Sequence, residues 1–155
     1  YRIPGINRPE LTATARLRGG QRVTKVTKTT KEQIARIVTE GLETGKSHQE
    51  LSDEIMNEMN TTAARARTIA AQECNTSLQA GSFDMAKRCR FKTKTWHVTN
   101  INKARDTHRE LNGKTILFSE PFVTSKGHKL MMPCDPDCNA AEETVNCHCF
   151  LIYDE

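Results

Sequence analysis

Aromatic side chains are scarce in this chain: one Trp, two Tyr and five Phe among 155 residues. That scarcity excludes a core built on ring packing and leaves burial to a modest set of aliphatic side chains. Long hydrophobic runs are lacking as well. No stretch reaches the roughly 18 apolar residues that a membrane-spanning helix needs. No secretory apolar segment opens the chain. There is no Gly-rich phosphate loop, no nucleophile elbow and no H-E-x-x-H pair, which removes P-loop nucleotide hydrolysis, serine-hydrolase chemistry and zincin proteolysis. An initiator Met is missing before Tyr1, so a processed or partial chain is expected. Hydrophobic residues make up 36% and charged residues 27%, polar for a globular protein but within the foldable range.

Charge is unevenly placed. The chain carries +4 overall. Its first 30 residues hold seven Lys/Arg against one acid, so the remainder is slightly acidic. The cations Arg2, Arg8, Arg16, Arg18, Arg22, Lys25 and Lys28 mark an N-terminal arm punctuated by Pro4, Gly5, Pro9 and Gly19-Gly20. Such an arm suits a polyanion, DNA or an acidic protein surface, contacted without sequence reading. An arm that orders only along a partner protein is the competing expectation.

Three helices are legible next. Thr29 or Thr30 opens the first, with Ile34, Ile37, Val38 and Leu42 on one face and Gly45 as terminator. Ser47-His48-Gln49-Glu50 reads as a capping box ahead of Leu51, Ile55 and Met59. The third and longest runs from Thr61 or Thr62 to about Lys87, with Ala70, Cys74, Leu78, Gly81 and Met85 along a narrow seam. Cys74 reads as a small buried hydrophobe. Near residue 90 the character changes. Phe91 to Thr99 has strand composition, with Trp96 as a core anchor. Asn102 can cap a short helix from Lys103 to Leu111. Ile116-Leu117-Phe118, Leu130-Met131-Met132 and Phe150 to Tyr153 are further short apolar runs. The expected fold is α+β: a basic arm over 1–28, a helical region over 29–88 and a small Cys-stapled α+β region over 89–155.

Four of the six cysteines, Cys134, Cys138, Cys147 and Cys149, crowd into one loop as C-x3-C, eight residues, then C-x-C. Six cysteines without an export signal point to a reducing compartment, where clustered thiols more often bind metal than pair as disulfides. Four thiolates can close a tetrahedral structural zinc site. His108 is an alternative ligand from the same half, with His128 and His148 behind it. Disulfides or free thiols stay open as readings. A metal would supply folding energy that a region so poor in large apolar side chains lacks. Asp106 and His108, with Arg105 and Arg109, could also be read as a metal-assisted or acid–base nuclease site. The simpler expectation is a surface pair of Asp106 with Arg109 and a structural His108.

From about Val23 to Tyr153 the residues resemble the phage Mu F-like minor head protein family, also called the phage head morphogenesis family. The helix pair from Glu32 to Met59, Ala66-Arg67-Thr68-Ile69-Ala70 followed by Glu73, Lys94-Thr95-Trp96, and Arg105-Asp106-Thr107-His108-Arg109-Glu110-Leu111-Asn112-Gly113 carry the likeness. Pro121-Phe122, Pro133, Asp135-Pro136 and Asn146-Cys147-His148-Cys149 complete it. The chain departs from the family's usual pattern at Ala71-Gln72, at Ile101 and at His148. The resemblance implies a structural protein of a tailed phage or prophage, present in few copies. It implies portal and capsid partners, a link to DNA packaging or delivery, and a place in the virion after assembly in the host cytoplasm. Relatives with added toxin or nuclease domains make a metal-dependent nuclease or toxin-like enzyme the second expectation.

Overall fold

The structure is a computed structural model that describes residues 12, 13, 15, 16 and 28–155. Among these, three long helices precede a set of short strands and one-turn helices, an α+β fold. Contacts divide the chain into two compact units, Tyr1–Gly81 and Ser82–Glu155.

In the first unit, α1 spans Lys28–Thr44, α2 His48–Met59, and the greater part of α3, Ala63–Arg88, follows. Ile34, Ile37 and Val38 of α1 are buried with Leu51 and Ile55 of α2 and Ala66, Ile69, Ala70 and Cys74 of α3. The heptad-like spacing of these aliphatic residues is what drives the helices together. Leu42, Met56 and Met59 pack at the margin. Gly45, at φ 76°, ends α1 in the left-handed conformation, and the Lys46 N–H returns to the Gly41 carbonyl at 2.9 Å. The next helix opens on the expected capping box. Ser47 Oγ accepts from the Glu50 N–H at 3.3 Å, and Glu50 Oε2 accepts from the Ser47 N–H at 2.7 Å. Gly41 serves close approach, because a Cβ there would overlap the Leu51 side chain. Burial of Cys74, with the Glu73 charge next in effect, pushes its thiol up to about 12, in keeping with an inert core residue.

The second unit is built on a three-stranded antiparallel sheet in the order β2-β1-β5. β1 is Thr93–His97, β2 is Thr115–Leu117 and β5 is Phe150–Asp154. Trp96 faces Leu151 across β1–β5, and Lys94 faces both Ile116 and Tyr153. Strand alternation buries Lys94 and Trp96 on one face. Leu117, Phe150 and Ile152 stay exposed. A small hairpin pairs β3, Phe122–Val123, with β4, Lys129–Leu130. Two one-turn helices, α4 at Asp106–Arg109 and α5 at Ala141–Thr144, complete the unit.

The helix expected over residues 103–111 is therefore shorter. Arg105, extended at ψ 154°, is the residue before its first turn, not Asn102. Asn112 spends its side chain on the Val98 N–H at 2.9 Å, and Gly113 at φ 78° turns the chain back to Trp96. The long-range contacts of this segment outweigh its local helix propensity.

Lys94 is fully buried. Burial pulls its ammonium down to about 8, against the opposing charges of Asp135 and Glu120. The unfolded chain, with an ordinary lysine pKa of about 10.4, then holds more protons than the folded one between the two values. Stability therefore rises with pH across that window and is lowest, for this group, below it. Lys94→Met removes the titration. Urea unfolding at pH 7.5 and pH 10 is expected to show the wild type gaining on the variant with pH, and a constant difference would contradict the assignment.

Candidate metal centre

The segment leading into β5 explains the tight C-x-C spacing. Cys147, Cys149 and Leu151 are buried while His148 and Phe150 point out. A period of two is that of extended backbone, so both thiols fall on one face. Asn146, at φ 52°, turns the chain into this run, and the Thr99 hydroxyl holds it by donating to the His148 carbonyl. His108 comes from α4. Its ring meets Trp96 edge-on at 5.0 Å, and it is 1% exposed. Arg105 anchors the start of α4 by donating from Nη2 to the Val145 carbonyl at 2.6 Å.

These elements bring His108 Nδ1 to 3.6 Å from Cys147 Sγ and 3.5 Å from Cys149 Sγ. All three ligand atoms lie within 4.8 Å of one another, and all three residues are buried. Ligands held about 2.0–2.3 Å from a tetrahedral zinc stand on the order of 3.5 Å apart, so the spacing fits that ion. Cys134 is also fully buried, and its Sγ donates to the Cys147 carbonyl at 3.3 Å.

The electrostatics suit a thiolate cluster. The neighbouring thiols of Cys134 and Cys149 hold the Cys147 thiol well below the usual thiol range, with His108 adding to the effect. Cys149 moves the other way: its thiol is hydrogen-bonded to Cys147, burial opposes its ionisation, and the charge on Cys147 adds to both. One thiolate forms readily and the next needs a cation.

Behind His108 stands Glu143, 1% exposed. Its Oε2 lies 3.2 Å from His108 Nε2 and accepts from the Thr107 hydroxyl at 2.8 Å, while Oε1 lies 3.2 Å from His128 Nδ1. Burial opposes ionisation of Glu143, but hydrogen bonds from Thr107 and His128 and the neighbouring imidazoles outweigh it and lower its pKa. The contact at Nε2 is an ion-pair distance without hydrogen-bond geometry; it sets a carboxylate on the side of the ring away from the two sulfurs, where metal-binding histidines commonly carry one.

Of the sequence-expected residues, Cys147 and Cys149 thus meet His108, and Cys134 touches Cys147. Cys138 is not one of the three residues whose ligand atoms converge; it lines an open cleft of about 500 Å³ with His128, Asp137 and Glu142. Asp106 pairs with Arg109 at the surface and does not join His108 in an acid–base pair. A cavity of about 310 Å³ beside the cluster is lined by Thr99, Asn100, Lys103, Arg105, Asn146 and His148, among others. Of the arm cations, Arg16 reaches Glu43 at 3.4 Å and Lys28 reaches Glu32 at 3.8 Å, both exposed. Arg2, Arg8, Arg18, Arg22 and Lys25 lie outside the described residues. Glu143 and Thr107 escaped sequence reasoning; the one local signal was that Thr107 adjoins His108. No described helix is long and apolar enough to cross a membrane.

Comparison with known proteins points the same way as the motifs. The minor head protein GP7 of Bacillus phage SPP1 is 28% identical over 123 residues, 77% of this chain and 39% of GP7. The Bacillus subtilis (strain 168) protein YqbB is 29% identical over 126 residues, covering 79% of this chain and 41% of its own length. An Enterococcus faecalis protein named NAD(+)--arginine ADP-ribosyltransferase EFV is 32% identical over 142 residues, 86% of this chain but 28% of that protein. This chain therefore spans well under half the length of each of these relatives. No solved structure matches it significantly. The family described as Phage Mu protein F like protein matches residues 32–152, most of the chain, and the chain belongs to that family.

Proposed function

We propose that this chain is a minor head protein of a tailed phage or prophage that acts by binding, with the portal protein and capsid subunits as its partners and packaged DNA as a non-specific contact. The family match over residues 32–152 carries the reading, and the likeness to GP7 supports it. On this reading the chain resides in the virion and reaches it from the host cytoplasm. The second unit carries a structural zinc ion held by His108, Cys147 and Cys149, with Cys134 completing the set. Bound there, the metal contributes folding energy and no reaction step. Glu143 orients His108, and Trp96 walls the cluster from solvent. The basic arm, from Arg2 to Lys28, supplies the contact to phosphates or to an acidic face of the portal.

The metal-dependent nuclease is the competing reading, drawn from the cavity beside the cluster with Lys103 and Arg105 on its wall. One experiment separates the two. The protein is incubated with plasmid DNA and Mg²⁺ or Zn²⁺, and passed over immobilised portal protein, as wild type and with residues 1–28 deleted. Retention on portal and a DNA gel shift without cleavage are expected. The shift should weaken by about 10³-fold between 50 and 200 mM salt if six or seven phosphates are contacted. The deletion should abolish it. Cleavage that disappears in His108→Ala would replace binding by enzymology, and a flat salt response would remove DNA from the partners.

A further inference from the structure

We propose that Lys94 is a positioning residue for the metal cluster, holding the loop that delivers Cys134 to the side of Cys147. The inference rests on the zinc reading above and deepens it.

A fully buried ammonium is a poor way to stabilise a small unit. An apolar side chain of similar volume commonly serves as well or better, because removing a charge from water costs more than its partners return. Lys94 nonetheless occupies the centre of β1, on the Trp96 face. Its Nζ stands over three rings, 5.1 Å from the centroid of Phe83 and 5.5 Å from those of Phe118 and Phe122. Those faces attract a cation. The ammonium donates to the Met131 carbonyl at 2.9 Å.

Met131 opens the turn that contains Cys134. Its N–H donates to Asp135 Oδ2 at 2.7 Å, and the Asp137 N–H donates to Oδ1 of the same carboxylate at 2.9 Å. Asp135 is itself buried and carries charge opposite to Lys94. The chain is thus fixed at both ends of residues 131–137, with Cys134 between them at φ 55°. A non-glycine residue adopts that conformation only where its surroundings impose it. The outcome is a buried Sγ donating to the Cys147 carbonyl. The ammonium, the carboxylate and the turn therefore share one geometric result: the placement of the buried Cys134 sulfur against the Cys147 backbone, next to the tight group of His108, Cys147 and Cys149.

The test uses the full chain with Zn²⁺ and Co²⁺ as probes, in the wild type, Lys94→Met, Cys134→Ser and the double variant. Lys94→Met is expected to fold, to bind Co²⁺ some 10–100-fold more weakly, and to lose about a third of the thiolate-to-cobalt absorption. That last figure is the step from three thiolates to two. The double variant should be no worse than Cys134→Ser alone, since both changes remove the same sulfur. Lys94→Met with wild-type cobalt affinity and spectrum, or effects that simply add in the double variant, would overturn the role of Lys94 while leaving the metal site intact. A wild type that takes up neither ion would overturn the metal site and this inference together. Should Lys94→Met fail to fold, Asp135→Asn must give the same loss of the third thiolate signal, and a wild-type spectrum there would end the proposal.

Discussion

Replacing Cys147 and Cys149 together by serine is expected to strip zinc from the protein and unfold residues 82–155 at a temperature where the wild type is native. The apolar side chains buried in that unit are few: Ala86, Trp96, Leu111, Phe122, Leu130, Met132 and Leu151, beside the cysteines themselves. A core of that size yields little net stability. A structural zinc contributes about 10–16 kcal/mol in the smallest metal-dependent folds. Even a fraction of that figure exceeds what such a unit can hold in reserve. Trp96 is the single tryptophan and sits against His108, so its fluorescence reports this unit alone. Urea unfolding followed at Trp96, with zinc content measured on the same samples, decides the matter. A serine pair with the wild-type midpoint, together with less than half an equivalent of zinc in the wild type, would show that the thiols clamp nothing. The chelator-treated wild type should fall on the same curve as the variant.

Truncating Trp96 to alanine is expected to cost about 3–5 kcal/mol, the range for deleting a large buried aromatic side chain. The ring is 0% exposed and meets His108 at 5.0 Å and Phe122 at 5.1 Å, both edge-on. Its loss therefore opens a void next to His108, the ligand proposed above, as well as in the core, and metal affinity should fall along with stability. Trp96→Phe keeps a ring on both neighbours and should cost less than half as much. Far-UV circular dichroism during urea unfolding measures both variants. A loss under about 1 kcal/mol for the alanine variant would mean that the site collapses and that Trp96 is no anchor.

The helical half was legible because its signals are local. Ile34, Ile37 and Val38 share a helical face, Gly45 supplies a stop, and Ser47 with Glu50 forms a box four residues long. The sheet was partly legible: Trp96 as core anchor and the Phe150 run as a strand are both visible in alternation. The ligand set was harder. Spacing groups Cys134, Cys138, Cys147 and Cys149, since they are neighbours in sequence. The structure brings His108 to Cys147 and Cys149 from 39 and 41 residues away, a contact that no local pattern encodes. Glu143 looked like one acid in a polar loop, and only the folded chain reveals that it is buried between two imidazoles. Lys94 did carry a faint signal, its shared parity with Trp96, which strand alternation turns inward against the usual preference of lysine.

The antiparallel pairing of β1 with β5 spans everything between residues 97 and 150. During synthesis, α1 and α2 can settle against each other soon after they emerge, since their contacts are near in sequence. β1 acquires β2 next. Its other side then waits, with unpaired N–H and C=O groups, until residues 150–154 have been made. A waiting strand edge is a template for the wrong neighbour. The sulfur pair immediately ahead of β5 arrives at the same moment as the strand that closes that edge, so under the proposed zinc reading ion capture and sheet closure become a single late event in the life of each new chain.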